Sequence, residues 1–330
     1  MAKSYQNVHF KSLDGISLRG RLYPAAQRGP AVILSPGYNV VLENFPPGVP
    51  EQLQKAHITA LVYDPRNTGK SGGFPRNDIN PCKQVEDYSD AFCYLTTLPI
   101  VDPRAIVFWG ISLSAGIALS AAAVDRRIAA VIAIAPIFRF VPVTEADAGR
   151  LKSKMLKDRE AQVIRGSPGY ILPIAESLAE IPFNSHVNAN REEEEEGKQE
   201  AEELRRQHEH WKQDAAADGD EEFDDETLTH NPYGTTLQSY HRMFLFEPVP
   251  EAMVKAVSPT PVMFVTPGED QISPPEQQTA AFEGLRGPKR QVVASGKEHI
   301  YVLHGAEMPM LMKWQIDFIW QVVRGLLKST

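Results

Sequence analysis

Four short runs in the first half of the chain are apolar without interruption: residues 31–35 (AVILS), 59–63 (TALVY), 105–109 (AIVFW) and 129–134 (AAVIAI). A strand with one wet face alternates apolar and polar residues. A strand apolar at nearly every position must be covered on both faces, as in a parallel sheet between two layers of helices. Helical patterns lie between these runs, most clearly over 84–98, where Val85, Tyr88, Phe92 and Leu95 share one face before Pro99. Two earlier strands, 5–10 and 17–23, are joined by the turn Leu13-Asp14-Gly15 and read as a hairpin. The alternation stops near Phe138. It resumes with a strand at 260–266, a helix at 276–285, a strand at 290–294 and a terminal helix at 308–327 carrying Trp314, Phe318 and Val322 on one face. The prediction is an α/β chain with a mostly parallel eight-stranded sheet and helices on both faces. Its core takes in residues 1–138 and 259–330, and residues 139–258 form a helical insertion.

Charge must be located before it can be interpreted. Of the net −8, residues 191–226 carry −12, from 17 acidic and five basic side chains, so the rest of the chain is at +4. Like charges at that density repel and resist burial, which predicts a solvated helix and a mobile acidic loop within the insertion. Neither part clusters Lys and Arg as a nucleic-acid face does. No apolar run is long enough to span a membrane. The opening MAKSYQNVHFKSLDG lacks an apolar signal core, and the closing LLKST matches no retention or lipidation signal. Cys82 and Cys93, eleven residues apart in one helical region, are expected to be two buried thiols rather than a disulfide or a metal site. Together these features set the expectation of a reducing, cytoplasmic setting.

The stretch VFWGISLSAG, beginning at Val107, carries the chemistry. A buried strand runs into a glycine, then Ser112, then a small-residue run of helical character. A nucleophile elbow needs small residues around its serine because the strained turn brings strand and helix together. Here G-x-S-x-G has become G-x-S-x-S-A-G: Ser114 is still small, and Gly116 allows close approach one turn on. A serine hydroxyl is inert without a base. On this architecture an acid and then a histidine should follow in chain order. Asp270 lies in TPGEDQISPP, just past the strand at 260–266, with Glu269 as the adjacent competitor. His299 lies in SGKEHIYVL after the next strand, with His304 as its rival five residues on. Oxyanion donors are expected from the backbone of Leu113 and, in the loop SPGYN, from that of Tyr38, where Gly37 permits a tight turn.

With these residues in place, the segments LDGISLRGRLYPA, SPGYN, LVYDPRNTGKSGG, QVEDYSDAFCYLTTLPIVDP and WGISLSAG closely resemble the α/β-hydrolase superfamily. Within it the chain is similar to the fungal secondary-metabolite branch of polyketide transferase-type and toxin-cluster hydrolases, to which NPYGTTLQSYHRMFLFEP adds support. The likeness covers 5–138 and 230–325 well and the acidic middle poorly. It implies a Ser112–Asp270–His299 triad under a helical lid, and acyl ester or thioester chemistry on products often still attached to a synthase. It also implies that 64–72, with its Gly69-Lys70-Ser71-Gly72, is structural rather than a phosphate loop. Many relatives carry histidine before the oxyanion glycine, where this chain has Ser35-Pro36.

The expected activity is therefore serine hydrolysis of an acyl ester or thioester through an acyl-enzyme. The alternatives are acyl transfer to an alcohol or amine by the same residues, and a non-catalytic binding protein that keeps the fold. No cofactor and no metal are called for. The expected partners are a small-molecule or carrier-bound acyl substrate and a polyketide synthase that supplies it; a homodimer is compatible with the sequence. Tyr170, Tyr233, Tyr240 and Phe244 are the insertion residues expected to line an apolar acyl pocket, most of their neighbours being lid core.

Overall fold

The computed structural model describes residues 4–139, 145–173 and 234–327. Its centre is an eight-stranded sheet of β1 (Gln6–Lys11), β2 (Ser17–Tyr23), β3 (Gly29–Ser35), β4 (Thr59–Tyr63), β5 (Val101–Ile111), β6 (Ala130–Ile134), β9 (Val262–Pro267) and β10 (Lys289–Ala294). The order across the sheet is β1-β2-β4-β3-β5-β6-β9-β10. β2 runs antiparallel to both its neighbours, and the pairs from β4 through to β10 are parallel. The eight-stranded, mostly parallel sheet expected from the apolar runs is the one observed.

Alternate residues of the central strands feed two separate cores. Ala31, Ile33, Leu61, Tyr63, Ile106, Phe108, Val131, Ala133 and Phe264 face α2 (Pro81–Thr96) and α3 (Leu113–Val124). Val32, Leu34, Ala60, Val62, Val107, Trp109, Ile132, Met263 and Val265 face α1 (Val49–Lys55) and α8 (Met308–Val323). This two-sided burial is why the runs read as continuously apolar. Trp109 Nε1 donates to Gln315 Oε1 at 2.8 Å, so the one polar atom of a buried indole is satisfied and β5 is tied to α8. Between β6 and β9 lie α4 (Glu145–Arg165), β7 (Ile171–Pro173), β8 (Gly234–Thr236), α5 (Leu237–Phe246) and α6 (Pro248–Met253), followed after β9 by α7 (Pro275–Gly284).

One expectation needs correction, and two elements carry little sequence signal. Cys82 and Cys93 are both exposed. Eleven residues is three helical turns, so the two share a face of α2, and that face lies roughly one residue's rotation away from the buried Tyr88, Phe92 and Leu95. In the insertion, α5 starts only at Leu237, because 234–236 pairs antiparallel with 171–173 and Thr236 caps the helix by accepting from Ser239 N–H. α1 has no strong periodic signal: it is seven residues long and starts after Gly48 in the left-handed region. The acidic segment 191–226 lies outside the described residues.

The loop after β4 is a buried polar scaffold. Arg66 is bound by Asp87 (2.5 Å) and Asp14 (2.8 Å), and Arg76 donates to the carbonyls of Ser71 and Gly69 at 2.6 Å. Asp64 accepts from Leu42 N–H (2.7 Å) and Lys70 N–H (2.9 Å), and a side chain at Gly69 would strike its carboxyl. Burial, with the nearby Glu43 charge adding to it, raises the Asp64 carboxyl to about 7, against the pull of those two N–H groups. Between the unfolded carboxyl's ordinary value of about 4 and 7, the folded chain holds a proton that the unfolded chain has released, so stability falls as pH rises through this window. Chemical denaturation at several pH values should show Asp64→Asn with a shallower decline by up to ~1.4 kcal/mol per pH unit between about pH 4 and 7; an unchanged slope would refute the assignment.

Candidate active site

The carboxyl ends of β3, β5, β9 and β10 open on the same edge of the sheet, where α/β proteins place ligand sites. Ser112 stands between β5 and α3 with φ 60° and ψ −124°, a conformation an L-residue keeps only when its surroundings enforce it, at about 1–3 kcal/mol. Its N–H donates to Ile134 O (2.9 Å), and its carbonyl accepts from Ala115 N–H (3.1 Å) and Ile137 N–H (3.3 Å). Two glycines make room for this turn. A β-carbon on Gly110 would lie 2.1 Å from Ser114 O, and one on Gly116 would lie 2.8 Å from Ile137 O and 3.3 Å from Pro250. The sharp reversal points the Ser112 side chain out of the fold, and the residue is half-buried.

His299 and Asp270 meet it from the two loops the sequence pointed to. Ser112 Oγ lies 2.8 Å from His299 Nε2, and His299 Nδ1 lies 2.8 Å from Asp270 Oδ2. The carboxylate can only accept, so the neutral imidazole carries its hydrogen on Nδ1 and Nε2 accepts from the serine hydroxyl. His299 is 6% exposed and Asp270 3%, so the constellation opens outward at the serine end. Asp270 is satisfied on every side. Oδ1 accepts from the N–H groups of Ile272 (2.9 Å) and Ser273 (2.8 Å), and Oδ2 accepts from Gln278 Nε2 (3.0 Å) as well as His299. Gln278, wholly buried on α7, and Ser273, whose hydroxyl donates to Pro136 O (2.6 Å), were not legible in the sequence; a glutamine on a weakly amphipathic helix gives no local signal. The competitors stand apart: Glu269 and His304 are exposed, and the His304 ring packs edge-on against Tyr301.

The loop SPGYN passes directly over the serine. A β-carbon on Gly37 would lie 3.2 Å from Ser112 Cβ and 3.7 Å from Oγ, a proximity that only glycine leaves open. The N–H of Leu113 sits at the first turn of α3, where helix geometry supplies no intrahelical acceptor. The loop is anchored outward by Asn39 Nδ2, which donates to Gly234 O (3.1 Å) and Thr235 Oγ1 (2.9 Å), and by the Tyr38 hydroxyl, which donates to that of Tyr240 (3.1 Å).

Of the four residues expected to line a pocket, Tyr240 is thereby brought to the loop over Ser112. Phe244 is half-buried beneath the ammonium of Lys152, and Tyr170 is 52% exposed. Tyr233 lies outside the described residues. Among the described residues no three His, Cys, Asp or Glu side chains are grouped as metal ligands would be, and no helix is long and apolar enough to cross a membrane.

Comparison with known proteins gives the family of the fold. Residues 30–306 match the family described as the alpha/beta hydrolase fold. A thiohydrolase of Eupenicillium brefeldianum is 40% identical over 314 residues, covering 95% of this chain and 93% of that protein. A polyketide transferase of Stachybotrys chlorohalonatus is 36% identical over 321 residues, covering 97% and 98%. Among solved structures, the alpha/beta hydrolase GrgF of a Penicillium species superposes with a TM-score of 0.77 at 30% identity, covering 97% of this chain and 99% of that one. The chain belongs to the α/β-hydrolase enzymes, in the branch that holds fungal thiohydrolases and polyketide transferases.

Proposed function

We propose that the protein is a serine acyl hydrolase acting on thioesters or esters through Ser112, His299 and Asp270. The observation that carries this reading is the unbroken relay from Ser112 Oγ through the imidazole to a buried, fully hydrogen-bonded carboxylate. Ser112 Oγ attacks the acyl carbonyl while His299 Nε2 takes its proton. The oxyanion that forms is met by the N–H groups of Leu113 and Tyr38, with the positive end of α3 behind them. The imidazolium, steadied by Asp270, returns its proton to the departing thiol or alcohol. Water, deprotonated by the same imidazole, then releases the acid.

The substrate class proposed is a polyketide-like apolar acyl chain, delivered as a small-molecule thioester or on the carrier of a polyketide synthase. Support comes from the names of the relatives and from the aromatic side chains of the insertion near the oxyanion loop, Tyr240 foremost. The second reading is acyl transfer, supported by the relative named as a polyketide transferase; an alcohol or amine then replaces water in the last step. The insertion 139–258 serves in either reading as the lid over the acyl chain.

Intact-protein mass spectrometry with a panel of acyl thioesters and esters should reveal an acyl adduct on the native chain and none on Ser112→Ala, whose kcat falls by about 10⁴-fold or more. Full activity in Ser112→Ala would end this reading. Adding candidate alcohols or amines and weighing the products separates transfer from hydrolysis. Asp270→Asn should lower kcat by about 10³–10⁴-fold with substrate binding retained. The amide oxygen stays with the N–H groups of Ile272 and Ser273, so the NH₂ faces His299 and forces the hydrogen onto Nε2, where no proton can be taken up. Activity within a few-fold of native would remove Asp270 from the role.

A further inference from the structure

We infer that Ser114 is a positioning residue, which with Ser35 forms a buried hydroxyl chain holding the loop that passes over Ser112. The inference rests on the serine-hydrolase reading above and assigns a role to the residue that replaces the second glycine of the elbow motif.

The chain of contacts is short. Ser114 Oγ donates to the carbonyl oxygen of Pro36 and lies 3.2 Å from Ser35 Oγ. A hydroxyl has one hydrogen, and that of Ser114 is spent on Pro36, so Ser35 must be the donor in the second bond. The direction is therefore Ser35 to Ser114 to Pro36. All three residues are buried, Ser114 to 2% exposure and Ser35 to 4%. Neither hydroxyl can turn to water instead, so the Pro36 carbonyl depends on Ser114 for its donor. The Ser114 backbone is itself immobile: its carbonyl accepts from the Tyr88 hydroxyl at 3.4 Å and lies against Gly110.

The consequence falls on the next two peptides. The Pro36 carbonyl lies in the Pro36–Gly37 peptide plane, so the bond from Ser114 fixes the orientation of that plane. Gly37 follows, where an added β-carbon would come 3.2 Å from Ser112 Cβ, and the N–H of Tyr38, the second oxyanion donor in the proposed mechanism, comes one peptide later. Asn39 holds the far end of the same loop to Gly234 and Thr235. The loop is thus held at both ends, and the inner hold exists because position 114 carries a hydroxyl. A glycine there would satisfy the turn equally well and remove the hydroxyl that donates to Pro36 O. The hydroxyl pair also occupies the place where, in the chain as read from sequence, Ser35 stands in front of the oxyanion glycine.

A donor displaced by a fraction of an ångström weakens binding of the transition state more than of the ground state. In steady-state assays on an aryl thioester, Ser114→Ala should lose about 10- to 100-fold in kcat with KM within about twofold of native. Its affinity for an alkyl boronic acid, which mimics the tetrahedral intermediate, should fall in the same proportion. Ser35→Ala keeps the bond from Ser114 to Pro36 and should lose less. The double variant should be no worse than Ser114→Ala, because both hydroxyls act through one carbonyl. Native kcat and boronate affinity in Ser114→Ala would overturn the inference, as would a rise in KM alone or effects that multiply in the double variant. Should Ser114→Ala not fold, native kcat and boronate affinity in Ser114→Gly, which removes the same hydroxyl and restores the usual elbow residue, would overturn it equally. Loss of the hydrolase reading looks different: Ser112→Ala then remains active, whereas an inactive Ser112→Ala beside an unaffected Ser114→Ala removes the hydroxyl chain alone.

Discussion

The turn at Ser112 is the constraint from which the rest of the site follows. A residue at φ 60° between a strand and a helix costs free energy, and it survives because neighbouring elements leave it no alternative. Ser112 is bonded through its N–H to β6 and through its carbonyl to Ala115 and Ile137, while Gly110 and Gly116 let α3 settle against β5 and α6. The turn is therefore stabilised by the packing of the whole central sheet, and its reward is a hydroxyl projecting from the fold above the first turn of a helix.

Around that turn, the buried groups nearest Ser112 are bonded to one another or to the backbone, while Asn39 Oδ1 and Gln278 Oε1 are left without a partner among the described residues. Asp270 has four donors, His299 is held between a carboxylate and a hydroxyl, and Pro36 O is met by Ser114. In a low-dielectric interior such networks are stiff, since any rotation leaves a group unbonded and desolvated. The same logic runs through the loop after β4, where Arg66, Arg76 and Asp64 are committed to internal partners. The glycine- and lysine-bearing stretch 69–72 is accordingly part of a scaffold, with its backbone turned toward Asp64 and Arg76.

Much of this was legible in the residues. The continuous apolar runs announced a sheet covered on both faces, and the order of serine, acid and histidine after successive strands pointed to the loops that meet. What escaped notice was of two kinds. Gln278 and Asn39 act through side-chain hydrogen bonds, Gln278 to Asp270 in the preceding loop and Asn39 to Gly234 and Thr235 far along the chain, and no local pattern marks such partners. Cys82 and Cys93 illustrate the other kind, for spacing shows that two side chains share a helix face but not which face meets the core.

By itself the sequence determined the alternation of elements, the position of the elbow and the set of chemically able residues, because periodicity, small residues at a strained turn and chain order are local properties. Only the tertiary structure brought Asp270 and His299 into contact and left Glu269 and His304 exposed, because in each pair the two residues share a loop and differ only in which one reaches the interior. It also decided that Ser114 is more than a small residue. A hydroxyl's partner depends on what the fold brings within 3 Å, and Pro36 lies 78 residues away in the chain.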